Sequence, residues 1–226
     1  MKIKQNAIFI AILLLTVLIC GTLYLWSGDT VAHIPSGDGT RDLLNADFSS
    51  GSFDLSGPVE YIPNALLTPD EFEAGLDEAL TGDPADFVSY STGRLRVYVP
   101  IGTYGLMMWN AGFATNIFIG GQPVESVGVP SGDAKRSITD SRFLYYTANA
   151  PNEVIEIVQQ ASDYVLRERG SHAHVVIGTP ETVRKMYTKQ NAIPAVVIGC
   201  FLVFFLAHLL LYSMLRLYKA NLWFAL

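Results

Sequence analysis

Hydrophobic and polar positions divide the chain into three parts. Residues 7–26 hold no charged side chain in 20 positions, and residues 192–215 hold none in 24. At 1.5 Å per residue, about 20 apolar residues cross the ~30 Å hydrocarbon core of a bilayer. Both stretches therefore predict membrane-spanning helices. Between them the apolar residues come in short runs broken by glycine and proline.

Residues 27–40 are Gly, Ser, Asp and Pro with little periodicity, which predicts a linker. Asp47-Phe48, Phe53-Asp54-Leu55 and Val59-Glu60-Tyr61-Ile62 follow as strand-like pieces. Thr68-Pro69-Asp70-Glu71 is a helix start, with Thr68 as cap, Pro69 at the first helical position and Glu71 closing the box. Phe72, Leu76, Ala79 and Leu80 then recur at helical spacing, predicting one helix over 69–80. After it the period changes to two, and Leu95, Val97 and Val99 alternate with Arg94, Arg96 and Tyr98. Further strands are expected over 104–109, 116–119, 143–147, 154–159 and 173–177, with a hairpin turning on Gly120-Gly121 before Pro123-Val124. Short strands at this spacing indicate a mainly β fold, an antiparallel β-sandwich with one short helix over 41–180. A connector, 181–191, leads to the second membrane helix.

Charge sets the orientation. All 21 acidic residues and 11 of the 15 basic ones lie between the apolar segments, so the middle carries about ten net negative charges. Such a domain repels nucleic acid and anionic headgroups. Lys2 and Lys4 (tail 1–6) and Arg216 and Lys219 (tail 216–226) are the only charges at the ends, and basic flanks belong in the cytoplasm. Arg184, Lys185 and Lys189 argue the other way, but they sit on a long translocated segment where the rule weakens. The expected protein is held in the cell membrane, both termini cytoplasmic and the central domain outside. A cleaved signal peptide is the alternative for 7–26, yet the run exceeds a usual apolar core and no small-x-small site closes it. Ile19-Cys20-Gly21 resembles a lipoprotein cleavage site poorly, because of the bulky Ile. Cys20 and Cys200 both lie in membrane segments, which leaves the outer domain without a disulfide.

The chemistry is sparse. There is no phosphate-binding loop, HExxH, CxxC or GxSxG, no catalytic constellation and no cofactor motif. His172 and His174 share one face of an expected strand, but no third ligand has supporting spacing for a metal, so they read as surface histidines. Trp109, Tyr145, Tyr146 and Tyr164 offer flat rings for stacking on a sugar, although most aromatics of a sandwich are core. His208 is an ionisable group inside a membrane segment, either functional or packed neutral against a neighbouring helix. The stretch 131–136 reads as a solvated loop rather than an anion site.

Several pieces stand in a recognisable order. They are Val59-Glu60-Tyr61, Leu66-Leu67-Thr68-Pro69-Asp70-Glu71-Phe72, Gly102-Thr103-Tyr104-Gly105-Leu106 and Ile117-Phe118-Ile119-Gly120-Gly121-Gln122-Pro123-Val124. Val127-Gly128, the run 153–160, Ser162-Asp163-Tyr164 and Val176-Ile177-Gly178 follow, and then the second apolar segment. Together they resemble the extracytoplasmic domain of bacterial seven-transmembrane receptors with diverse intracellular signalling modules. The resemblance implies a galactose-binding-like jelly roll followed by a helix bundle and a histidine kinase, cyclase or similar output. Departures are Gly120-Gly121 for the family's Asn-Gly, and Ser162-Asp163-Tyr164 for its Ser-Asn-Phe. The sequence also holds only one helix after the domain, and 221–226 resembles the start of another.

What the resemblance implies is a sensor for a small extracytoplasmic ligand, a carbohydrate being the leading class. Its partners would be the bilayer and a further copy or a downstream signalling subunit. Jelly rolls of this kind present ligands at one end or on an aromatic concave face, and the candidates are Trp109, Asn110, Arg142, Tyr145, Tyr164 and His172. Trp109 and Tyr164 would stack; Asn110, Arg142 and His172 would fix orientation. The alternatives are an assembly protein whose sandwich binds another subunit and, more weakly, an anchored hydrolase.

The topology is directly testable. A reporter active only in the cytoplasm should work when fused after Leu226 and stay silent when fused after Gly128. The reverse pattern would overturn the orientation.

Overall fold

The computed structural model describes residues 21, 31–34, 39–49, 51–82, 89–164 and 174–215. The expected first span at 7–26 (Gly21 apart) and the tails 1–6 and 216–226 lie outside these residues. The chain forms two compact units, Thr30–Tyr187 and a second made of Met1–Asp29 with Thr188–Leu226.

The first unit is mainly β. Its described strands are β1 (Val31–His33), β2 (Thr40–Asp42), β3 (Ser52–Asp54), β4 (Val59–Pro63), β5 (Leu80–Gly82) and β6 (Tyr90–Tyr98). There follow β7 (Gly102–Ile119), β8 (Gln122–Val127), β9 (Asp140–Ala150), β10 (Val154–Ser162) and β11 (His174–Gly178). They form one curled sheet in the order β1-β3-β11-β7-β10-β6-β4-β5, with β2 on β6 and both β8 and β9 on β7. The first half of β7 pairs with β11 and β9, the second half with β10 and β8. β7 thus belongs to two layers, and the sheet folds into a sandwich.

The switch has a local cause. Pairing with β9 slips between Ala111 and Phe113, and Gly112 takes a positive φ of 97°. A bulge of this kind bends a strand and increases its twist. Asn110, fully buried, fixes the bend: its Nδ2 donates to Phe113 O at 2.7 Å and its Oδ1 accepts from Phe113 N–H at 3.3 Å. Strand alternation then fills the space between the layers. Leu106, Met108, Leu144, Val175 and Ile177 face Leu95, Val97, Ile117, Ile155 and Ile157 across the core. At the far end of β7, Gly120 (φ 56°) and Gly121 (φ 78°) make the hairpin turn expected from the sequence.

On the outside of the β6 layer, helix α1 (Pro69–Ala74) is held by Arg94. This buried guanidinium reaches Glu60 at 2.6 Å and Glu73 of α1, and lies 5.0 Å from the centre of the Phe72 ring. Glu71 accepts from the Thr68 backbone N–H at 2.8 Å, as the capping box requires. The single helix expected over 69–80 is shorter than its periodicity suggests. Gly75 ends it, Leu76–Glu78 form a 3₁₀ turn, and Leu80 joins β5 as an exposed residue.

The expectation of a purely antiparallel sandwich also needs correction: the sheet is mixed. β1 runs parallel to β3 and β2 parallel to β6. Each is a three-residue strand. β1 lies inside the stretch read as linker, 27–40. The residues read as connector, 181–191, are helical. Helix α2 runs Pro180–Leu215, and its stretch Pro180–Leu206, which holds an 18-residue window of mean hydropathy 1.7, is long and apolar enough to cross a membrane. Among the described residues it is the one such helix.

The start of α2 belongs to the β-rich unit and lies on the outside of the β11–β7–β9 layer. Only Thr179 separates it from β11, and the Thr182 N–H donates to Thr179 Oγ1 at 3.3 Å. Gly105 and Gly178, paired across β7 and β11, form its seat. A Cβ on Gly105 would stand 2.9 Å from Val183 Cβ, and one on Gly178 3.0 Å from Val183 Cγ2. Val183 and Met186 pack on Met107 and Val176, and the Tyr145 hydroxyl donates to Pro180 O at 3.1 Å.

Beside this seat, Asp54 of β3 ties the edge strands together. It lies 3.2 Å from His174 of β11 and 3.6 Å from His33 of β1. Burial opposes its charge, but the bonds from His174 and from Ser56 outweigh that and hold the carboxyl below the usual carboxylate range.

Two predictions follow from these contacts. Gly105→Ala should overpack the seat and destabilise the unit by about 1–3 kcal/mol, with Val183→Ala in the same chain restoring part of the loss. Unfolding of the full chain in lipid nanodiscs measures both, and an unshifted Gly105→Ala midpoint would place the helix elsewhere. A depressed folded pKa at Asp54 contributes stability that is present above its unfolded value and lost on acidification below about pH 4. Asp54→Asn should therefore flatten the fall of melting temperature between neutral and acid pH; an unchanged slope would deny Asp54 that role.

Candidate functional site

The outer face of the β11–β7–β9 layer carries an aromatic platform. Met108 and Leu144 point into the core, so their neighbours Trp109 and Phe143 point out. Trp109 stands opposite both His174 and Phe143 in register. Its ring lies on that of Phe143 with centroids 5.8 Å apart and planes 15° from parallel. Trp109 keeps 43% of its surface exposed, so it is not a core residue.

Polar groups border the platform on one side. His174 is its immediate neighbour on β11, and Asp54 and His33 continue the row onto β3 and β1. The N–H bond from Ser56 to Asp54 Oδ1, 2.8 Å, holds the carboxylate in place. A flat apolar surface beside a fixed acceptor and two imidazoles suits a ligand with an apolar face and hydroxyls at its rim. No group of three or more His, Cys, Asp or Glu side chains among the described residues is arranged to hold a metal ion.

The six residues singled out from the sequence do not converge on one place. Trp109 stands on the platform. Tyr145 shares its face but lies further along β9, its hydroxyl on Pro180 O and its ring 5.9 Å from that of Tyr187. Asn110 is buried in the bulge, where both ends of its amide are occupied. Arg142 reaches the other way, to Ser126 O at 2.9 Å and Glu125 at 3.0 Å. Tyr164 lies past the end of β10, its hydroxyl donating to Ser131 O at 3.1 Å. His172 lies outside the described residues. The reason is parity: Trp109 and Asn110 are adjacent on one strand and must face opposite ways.

Phe143, Asp54, His33 and His174 were not among those candidates. The alternation of β9 could have found Phe143, since it matches Tyr145 in parity. Nothing local marks Asp54, which meets His174 only because β3 and β11 pair. Further along α2, His208 is accounted for locally, its Nδ1 3.0 Å from Phe204 O and its ring 4.1 Å from the Phe204 ring.

No family model matches the sequence, and no curated protein does. Among solved structures, the chain is similar to a GH2 β-galacturonidase from Eisenbergiella tayi bound to galacturonate, with 8% identity and a TM-score of 0.37, over 56% of this chain and 24% of that one. A β-glucuronidase from Faecalibacterium prausnitzii matches at 11% identity and a TM-score of 0.38, over 57% and 31%. A family 35 carbohydrate-binding module from Clostridium thermocellum matches at 14% identity and a TM-score of 0.27, over 57% and 92%. The chain thus spans about a quarter to a third of the two enzymes. At TM-scores this low the likenesses carry no argument about what this chain binds or does.

Proposed function

We propose that this chain is the ligand-sensing part of a membrane signalling protein, as its resemblance to seven-transmembrane receptors implies. The ligand is a small extracytoplasmic molecule, a carbohydrate being the class that suits the platform. One observation carries the reading: the strand that borders the platform, β11, runs within one residue into α2, whose start is seated on the same layer. Ligand contacts to Trp109, His174 and Asp54 bear on β7, β11 and β3 together, and so on the strands that hold Gly105 and Gly178. The binding free energy must differ between two positions of that seat for anything to be transmitted.

The test is binding to the full chain in lipid nanodiscs, free of glycosidic detergent. Titration with a panel of mono- and oligosaccharides should change the fluorescence assigned to Trp109 by comparison with Trp109→Phe. Trp109→Ala should weaken binding about tenfold, the factor that roughly 1.4 kcal/mol of lost stacking represents. Its melting temperature should stay near that of the parent, because the side chain is half exposed. A folded chain that answers no member of the panel would favour the assembly role instead.

A further inference from the structure

A recess lies on the other half of the sandwich, at the β7–β8 hairpin. The register of this pair jumps from Ile117↔Glu125 to Phe118↔Pro123, leaving Val124 as an extra residue. Such a bulge bends the strand away from its partner and leaves the added residue out of the ladder. The hollow that results has a volume of about 340 Å³ and is lined by Asn116, Phe118, Pro123, Val124, Glu125 and Ser126. That lies at the lower end of the ~300–1,000 Å³ of small-molecule sites.

We infer that this hollow is a binding site for a neutral polyol the size of a monosaccharide, separate from the Trp109 platform. Phe118, partly buried, supplies an apolar face. Asn116 uses Nδ2 on Gln160 Oε1 at 2.7 Å, which orients the amide and leaves Oδ1 as an acceptor. The Ser126 hydroxyl adds a group that donates and accepts. Glu125 pairs with the core residue Ile117, so its side chain turns to the other face of the strand, where Arg142 at 3.0 Å and the Tyr146 hydroxyl at 2.7 Å hold both its oxygens. Asn116, Phe118, Pro123 and Ser126 share the opposite face, and none of them carries a charge that would draw an ionic ligand. An uncharged, compact ligand rich in hydroxyls matches the Phe118 ring, the Asn116 amide and the Ser126 hydroxyl on that face. Pro123 in β8 withholds a backbone donor, which disfavours the competing use of this edge, addition of a partner strand.

The experiment uses methyl glycosides of the common hexoses as probes, with saturation-transfer NMR on the full chain in nanodiscs. In a Trp109→Ala background, which disables the platform, saturable binding should persist. Adding Ser126→Tyr, an exposed position where a ring would fill the hollow, should weaken it about tenfold or more. Phe118→Leu, which keeps an apolar side chain, should weaken it by a smaller factor and guards against a folding artefact of the first variant. Loss of all binding in Trp109→Ala, or binding untouched by Ser126→Tyr, would overturn the second site. Binding that survives Trp109→Ala undiminished and vanishes with Ser126→Tyr would uphold the hollow and refute the platform, so the two proposals fail separately.

Discussion

The sandwich depends on β7 changing layers. This strand pairs with β9 and β11 before Gly112 and with β8 and β10 after it. Without the bulge, regular alternation would put Leu106 and Ile117, an odd number of positions apart, on opposite faces; the extra residue turns both into the core. The bend leaves ladder groups unpaired, and a buried amide must satisfy what the bulge frees. Asn110 does so with both ends of its side chain. It is therefore a structural residue at the centre of the fold, although its chemistry resembles that of a ligand contact.

That confusion shows where sequence reading stops. Periodicity located β6, β9, β10 and β11 and the Gly120-Gly121 hairpin, because alternation and positive φ are local properties. It divided β7 into two strands, since Asn110-Ala111-Gly112 breaks the alternation as a turn would. It overextended α1, because Leu76 and Leu80 continue a helical spacing that Gly75 interrupts. Site residues were legible only one at a time. Trp109 stands exposed on a rigid strand as a binding residue would, but its companions come from β9, β11 and β3, and their meeting is set by pairings between residues as far apart as Asp54 and Val176.

Under the sensing proposal, the seat of α2 would convert strand positions into helix position through excluded volume. Gly105 and Gly178 allow Val183 to approach the backbone of two strands, with no side chain between to absorb a displacement. Packed interfaces of this kind switch between discrete arrangements more readily than they deform. The tie of Asp54 to His174 and His33 joins the two edge strands to the same layer.

Under the sensing proposal, the division of contacts at the platform then decides whether a ligand signals. A ring that only stacks on Trp109 touches β7 alone and binds equally wherever β11 stands. A ligand with equal affinity for two states shifts neither population, however tightly it binds. A ligand that also engages His174 or Asp54 bridges β7 to β11 and β3, and its affinity then depends on their spacing. Stacking supplies the affinity, whereas the polar rim supplies the difference in affinity on which transmission rests. The same logic makes the hairpin hollow a poor trigger, since β7 and β8 are covalently joined there through a two-glycine turn. Occupancy at that end would not bear on the strands beneath α2.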